Sequence, residues 1–193
     1  MRIGVLSVQG AVSEHLDHLR RCDTEAVAIK NVKSLDEVSG LILPGGESTT
    51  IGKLIEAFGL ADSIRRRTRD KSLALFGTCA GMVLLAGEIT DGIINQPKLG
   101  LMDIVVKRNA FGRQRESFET ALDFKTFNEP LTAVFIRAPV ILKMSHEVTA
   151  LAQLPEGVVA ARQGNLLATS FHPELTSDLR IHQYFIEMCR EIS

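Results

Sequence analysis

Residues 75–87 read LFGTCAGMVLLAG. An apolar run enters a glycine, Cys79 stands between Gly77 and Gly81, and a second apolar run leaves. The order strand, tight turn, helix is the context of a nucleophile elbow, with cysteine in the place that serine takes in the G-x-S-x-G pattern. On this reading the two glycines let the chain turn sharply enough to hold the sulfur at the mouth of a site. The alternative is a cysteine used as a small buried hydrophobe. The rest of the chain has to decide between them.

Working outward, strands alternate with helical patterns through the first half. IGVLSV (3–8), EAVAIK (25–30), GLILPGG (40–46) and SLALF (72–76) are strand candidates. Between them, AVSEHLDHLRRC (11–22) repeats Val12, Leu16 and Leu19 at helical spacing, and IGKLIEAFGL (51–60) and ADSIRRRTR (61–69) predict two more helices. Such alternation implies crossover connections and a mostly parallel sheet covered on both faces. Beyond residue 100 come LMDIVVKR, SFETALDF, AVFIRAP, VVAARQG and LLATSF, short runs that read as antiparallel strands extending the sheet. The segment LTSDLRIHQYFIEMCREI (175–192) predicts a closing amphipathic helix carrying Leu179, Phe185, Met188 and Ile192, with Thr176, Ser177 and Asp178 as capping candidates. The expected fold is α/β, one flavodoxin-like domain over 1–193 with three layers and a mostly parallel central sheet extended by antiparallel strands.

The totals narrow the function. The 22 basic and 23 acidic residues leave a net charge of -1, which gives no basis for a nucleic-acid or acidic-membrane partner. Cys22, Cys79 and Cys189 are odd in number and widely spaced, so neither a disulfide framework nor a zinc site is expected. A reducing, cytoplasmic setting follows. The N-terminal apolar run is too short for a secretory signal, and no segment approaches the roughly 20 apolar residues of a membrane span.

Ligands of an open parallel sheet bind beyond the carboxyl ends of its strands. Gln9 and Gly10, Pro44 to Thr49, and Gly77 to Gly81 occupy those positions. A cysteine nucleophile needs a base, and the base needs a group that fixes its tautomer. Of five histidines, His15, His18 and His182 fall in charged helical patterns and read as solvated, and His146 falls in a polar turn. His172, in SFHPEL, follows an apolar strand, and the proline after it favours extended chain. In extended chain Glu174 lies on the same side as His172, a base with its own orienting carboxylate. The backbone N–H of Ala80 and the glycines of PGGES are candidate donors to an oxyanion. A phosphate loop is excluded, because Gly46 and Gly52 enclose five residues where four are needed and Lys53 is followed by leucine.

Cys79, His172 and Glu174, with PGG upstream, resemble the class I glutamine amidotransferases. The blocks LSVQGAVSEH, LILPGGESTT, FGTCAGMVLLA, RNAFGRQRESFE, VFIRAP and SFHPELTSD resemble in particular the glutaminase subunits of pyridoxal 5'-phosphate synthase, from residue 6 to residue 178. The resemblance implies hydrolysis of L-glutamine to glutamate and ammonia, with Cys79 as nucleophile, His172 as proton shuttle and Glu174 as its orienter. It also implies an oxyanion site at Gly46 and Ala80, and a glutamine pocket at Glu47, Ser48, Thr49, Arg108, Ile136 and Arg137. Gln9 and Gly10 match a block near the interface with a separate barrel-shaped synthase, which receives the ammonia and uses ribose 5-phosphate and glyceraldehyde 3-phosphate. No cofactor and no metal are implied for this chain. Two departures stand out: Val140, where relatives often carry histidine, and Arg115 within RQRES. The rival readings are a glutaminase feeding a purine, histidine or pyrimidine enzyme, a non-catalytic module on the same fold, and a cysteine hydrolase of peptides.

Overall fold

The computed structural model describes residues 1–92, 95–111 and 117–192. Four strands, β1 (Arg2–Leu6), β2 (Glu25–Ile29), β3 (Gly40–Leu43) and β4 (Ala74–Thr78), pair in parallel in the order β2, β1, β3, β4. They alternate with helices α1 (Val12–Arg21), α2 (Val32–Leu35), α3 (Ser48–Ala57) and α4 (Leu60–Arg69). Short, mostly apolar strands suit a sheet buried on both faces, and the alternation of side chains in β3 shows it: Leu41 and Leu43 enter one core layer, Ile42 the other.

The layer containing Leu41 is filled by α2, α3, α4 and α5 (Ala80–Leu85); the opposite one by α1 and α6 (Arg180–Glu191) together with a separate hairpin, β7 (Ser117–Leu122) and β8 (Leu131–Ile136). The expected three-layer α/β fold is therefore present. The antiparallel extension is also present, with one rearrangement. The last strand, β12 (Leu166–Thr169), joins the core in parallel with β4, and from it β11 (Gly157–Gln163) continues antiparallel to β9 (Val140–Met144). β6 (Met102–Lys107) pairs antiparallel with β9 and parallel with β5 (Ala86–Ile89), while β10 (Thr149–Leu154) pairs with β11. The sequence reading did not assign β5, β9, β10 or the one-turn α2.

Helix bounds differ modestly from expectation. The helix expected from residue 51 begins at Ser48, capped by the Glu47 carboxylate, which accepts from the N–H groups of Thr49 and Thr50. The closing helix begins at Arg180 with Leu179 at its N-cap. Thr176 and Ser177 do not cap it. Asp178 takes part instead by accepting from the N–H of Arg180 and pairing with its guanidinium.

The arrangement brings the carboxyl ends of β1, β3, β4 and β12 together. Among the described residues no helix is long and apolar enough to cross a membrane.

Candidate active site

Cys79 stands between β4 and α5 with φ 49° and ψ -100°. A non-glycine residue there is outside the usual wells and carries strain of about 1–3 kcal/mol. The strain is held by the surroundings: the Cys79 N–H donates to the Thr169 carbonyl of β12 at 2.8 Å, and its own carbonyl accepts from Val83 at 3.3 Å. This corrects the expected role of the flanking glycines. Neither has a positive φ. A Cβ on Gly77 would meet the Gly81 carbonyl carbon at 2.5 Å, and one on Gly81 would meet the Leu43 carbonyl oxygen at 2.2 Å. Gly77 and Gly81 thus allow α5 to press against β3 and β4, and the cysteine itself makes the turn.

The sulfur is not sealed away. Cys79 lines a cavity of about 480 Å³ with Gln9, Gly45, Gly46, Ala80 and His172. His172 follows β12, and its Nδ1 lies 2.7 Å from Oε1 of Glu174. Glu174 sits in a short 3-10 turn, Pro173–Leu175, so its carboxylate reaches the imidazole through a turn, on the expected side. Burial alone lowers the pKa of His172, but hydrogen bonding and electrostatic attraction to Cys79 and Glu174 raise it to about 10. With Nδ1 committed to the carboxylate, Nε2 is the ring nitrogen left for the sulfur. Gly45 makes room for the ring: a Cβ there would stand 2.3 Å from Cε1 of His172.

Of the expected pocket residues, Glu47, Ser48, Arg108, Ile136 and Arg137 line the cavity, and Thr49 does not; its N–H is spent on the Glu47 carboxylate. Burial alone raises the pKa of Glu47, yet hydrogen bonds from Thr50 and Thr49 hold it down at about 2. Its charge faces Arg108 at 3.6 Å. Arg108 also donates to Oε1 of Gln96, and the Nε2 of Gln96 donates to the Ser48 hydroxyl at 3.1 Å, so the cationic wall is tied to the start of α3. Gln9 accepts from the Glu47 N–H at 2.9 Å, and Gly46, beside it, has no room for a side chain because a Cβ would fall 2.4 Å from Oε1 of Gln9.

Sequence reasoning missed Ala11, Val83, Asn109, Pro139 and Leu175 in the lining. Asn109 and Arg137, both at φ 42°, share a left-handed backbone with Cys79, which is a signal only coordinates carry. Val140 is buried against the layer of α1 and α6, so the departure there falls in the core and not in the pocket. Arg115 lies outside the described residues.

The reading of His15, His18 and His182 as solvated is wrong. All three are buried and touch one another: His15 Nδ1 lies 2.9 Å from His182 Nε2, and His18 Nδ1 lies 3.2 Å from His182 Nδ1. The cause is helical phase. His15, His18 and Leu19 form the inner stripe of α1 while Glu14, Asp17 and Arg20 take the outer face. His182, Phe185, Ile186 and Cys189 repeat the same spacing on α6. That spacing was legible in the sequence. His146 is in an exposed turn, as expected.

Residues 5–191 match the SNO glutamine amidotransferase family. The chain belongs to that family. Among SNO relatives, the pyridoxal 5'-phosphate synthase subunit PdxT of Pelotomaculum thermopropionicum is 53% identical over 190 residues, covering 98% of this chain and 95% of the relative. The protein of the same name from Niallia circulans is 50% identical over 191 residues, 99% of each chain. A solved glutamine amidotransferase crystal structure superposes with a TM-score of 0.93 at 48% identity, covering 97% of this chain and 98% of that one. A chain of PurLQS from Thermotoga maritima shares the fold alone, with a TM-score of 0.70 at 15% identity over 96% of this chain and 97% of that one.

Proposed function

We propose that the chain is the glutaminase subunit of a pyridoxal 5'-phosphate synthase, hydrolysing L-glutamine to L-glutamate and ammonia through a thioester on Cys79. The observation that carries the chemistry is the meeting at one cavity of a strained cysteine and an imidazole with a raised pKa, with a carboxylate bonded to the ring from behind. Sγ attacks the side-chain amide carbon. The oxygen that becomes negative is met by the backbone N–H groups of Gly46 and Ala80, both on the cavity wall; Ala80 is the first residue of α5, where N–H groups lack intrahelical acceptors. His172 gives its proton to the leaving nitrogen and ammonia departs. The imidazole then takes a proton from water, which attacks the thioester and frees glutamate and the thiol. Glu174 holds the ring in the required tautomer throughout.

The pocket charges suit an α-amino acid. Arg108 and Arg137 supply cations for its carboxylate and Glu47 an anion for its ammonium group, with Ser48 and Ile136 alongside. Thr49 acts by fixing Glu47. The binding partner is a separate synthase subunit seated over the cavity mouth, where Gln9, Gly10, Ile136 and Leu175 are exposed. The assembly is hetero-oligomeric and cytoplasmic, this chain contributing one domain and needing no cofactor. A different synthase would make the chain a glutaminase of another pathway. The test is glutamate release measured with and without the pyridoxal 5'-phosphate synthase subunit, together with incorporation of the amide nitrogen into its product. Stimulation and incorporation support the reading; indifference to that subunit contradicts it.

A further inference from the structure

The triad described above uses one oxygen of Glu174. The other, Oε2, is buried without a hydrogen-bond partner at ordinary distance among the described residues. A buried carboxylate oxygen with no donor is costly. The imidazole of His15 faces it, with Nε2 at 3.5 Å. The same nitrogen lies 3.3 Å from the hydroxyl of Thr78, the residue before the nucleophile. Behind His15 run His182 and His18, which end at a surface groove lined by Ser13, Asp17, Arg21 and Thr176.

Two ends bear on the direction of this chain of imidazoles: the Glu174 carboxylate beside His15 and the Thr176 backbone, to which His18 hydrogen-bonds. Full burial first, then the neighbouring histidines, push the pKa of His15 well below normal; burial, His18 and Arg21 push His182 to about 3. Each ring is therefore neutral and carries one N–H. A carboxylate only accepts, which favours an Nε2–H on His15 toward Glu174, while the Thr78 hydroxyl beside it can accept or donate. Its Nδ1 is then an acceptor and takes the Nε2–H of His182, whose Nδ1 takes the Nδ1–H of His18. The reverse order would set a lone pair of His15 against the carboxylate.

We propose that His15 is a positioning residue for glutamine hydrolysis: its Nε2–H holds Glu174 Oε2, so the carboxylate is fixed at both oxygens and keeps His172 aimed at Cys79. His182 and His18 lock His15 into the tautomer that makes that N–H available. The proposal rests on the reading of Cys79, His172 and Glu174 as the triad.

Two measurements test it. Nitrogen-15 correlation spectra of the wild-type chain at about pH 8, where the rings are neutral, should show the ring proton of His15 and of His182 on Nε2 and that of His18 on Nδ1. A proton on Nδ1 of His15 would overturn the proposal, and this readout needs no variant to fold. In assays with the synthase subunit present, His15→Phe, which keeps ring bulk but no donor, should lower kcat roughly 10- to 100-fold with KM for glutamine within about twofold. His15→Gln, which restores an N–H, should return kcat to within roughly fivefold of wild type. A wild-type kcat in His15→Phe, or equal losses in the two variants, contradicts the role. Cys79→Ala serves as the control: if that variant still hydrolyses glutamine, the triad reading itself has failed, whatever the His15 variants do.

Discussion

His172 and His182 are both largely buried, the first on a cavity wall and the second fully, yet one is raised to about 10 and the other lowered to about 3. Burial acts on both in the same direction, against the charged ring. The difference lies in their neighbours. His182 meets two further imidazoles, which add positive charge if they add any; His172 meets a carboxylate and a sulfur, either of which rewards a proton. On the proposed reading, the cluster around His172 holds a charge at the cavity and the one around His182 carries hydrogen-bond direction without charge.

The experiments that would break or sharpen this contrast differ in size. Cys79→Ala should abolish glutamate release, a loss of at least about 10³-fold, while circular dichroism and binding to the synthase subunit stay as in wild type. Glu174→Gln should lower kcat by roughly 100-fold or more, since it removes the charge that keeps His172 protonated and correctly turned. Its alkaline limb in a pH–rate profile should also fall below the wild-type value. Gly45→Ala should cost about 10- to 100-fold in kcat, because the added carbon collides with the His172 ring, with little change in KM. The smallest effects concern stability. A raised histidine stabilises the fold fully below its unfolded pKa near 6.5 and loses that contribution as pH climbs through about 10. A lowered one contributes above about 6.5 and loses its contribution as pH falls toward about 3. The melting temperature of His172→Gln should therefore approach that of wild type on the alkaline side, and that of His182→Gln should approach it on the acid side. Parallel curves at all pH values would mean that the two rings do not differ as described.

The sequence was legible where chemistry coincides with strand ends. LFGTCAG, LPGG and SFHPE each follow an apolar strand, and a parallel sheet has to deliver those three ends to one edge, so the triad and most of the cavity wall could be placed before any coordinates. What was not legible depends on contacts across the fold. Strands β5 and β10 carry mixed polar residues and become strands by pairing with neighbours distant in sequence, whereas β9 (VILKM) is apolar enough to have been read as a strand and was passed over. Asn109 and Arg137 enter the site through backbone conformations that residue type does not announce. The histidines of α1 and α6 were misread because flanking charge was weighed above helical phase, and phase was the better guide.

The three cysteines allow the most direct test. Burial raises the pKa of Cys189 to about 12, and its sulfur is packed near Gly40, where a Cβ would stand 2.4 Å from it; burial likewise raises that of Cys22. Cys79, by contrast, lines a cavity together with His172, whose pKa is raised to about 10. When the chain, with its synthase subunit, is treated with an electrophilic analogue of glutamine and digested for mass spectrometry, a single adduct should appear on the peptide bearing Cys79, and excess glutamine should prevent it. Modification of Cys22 or Cys189 in its place, or labelling of Cys79 that glutamine does not slow, would contradict the account.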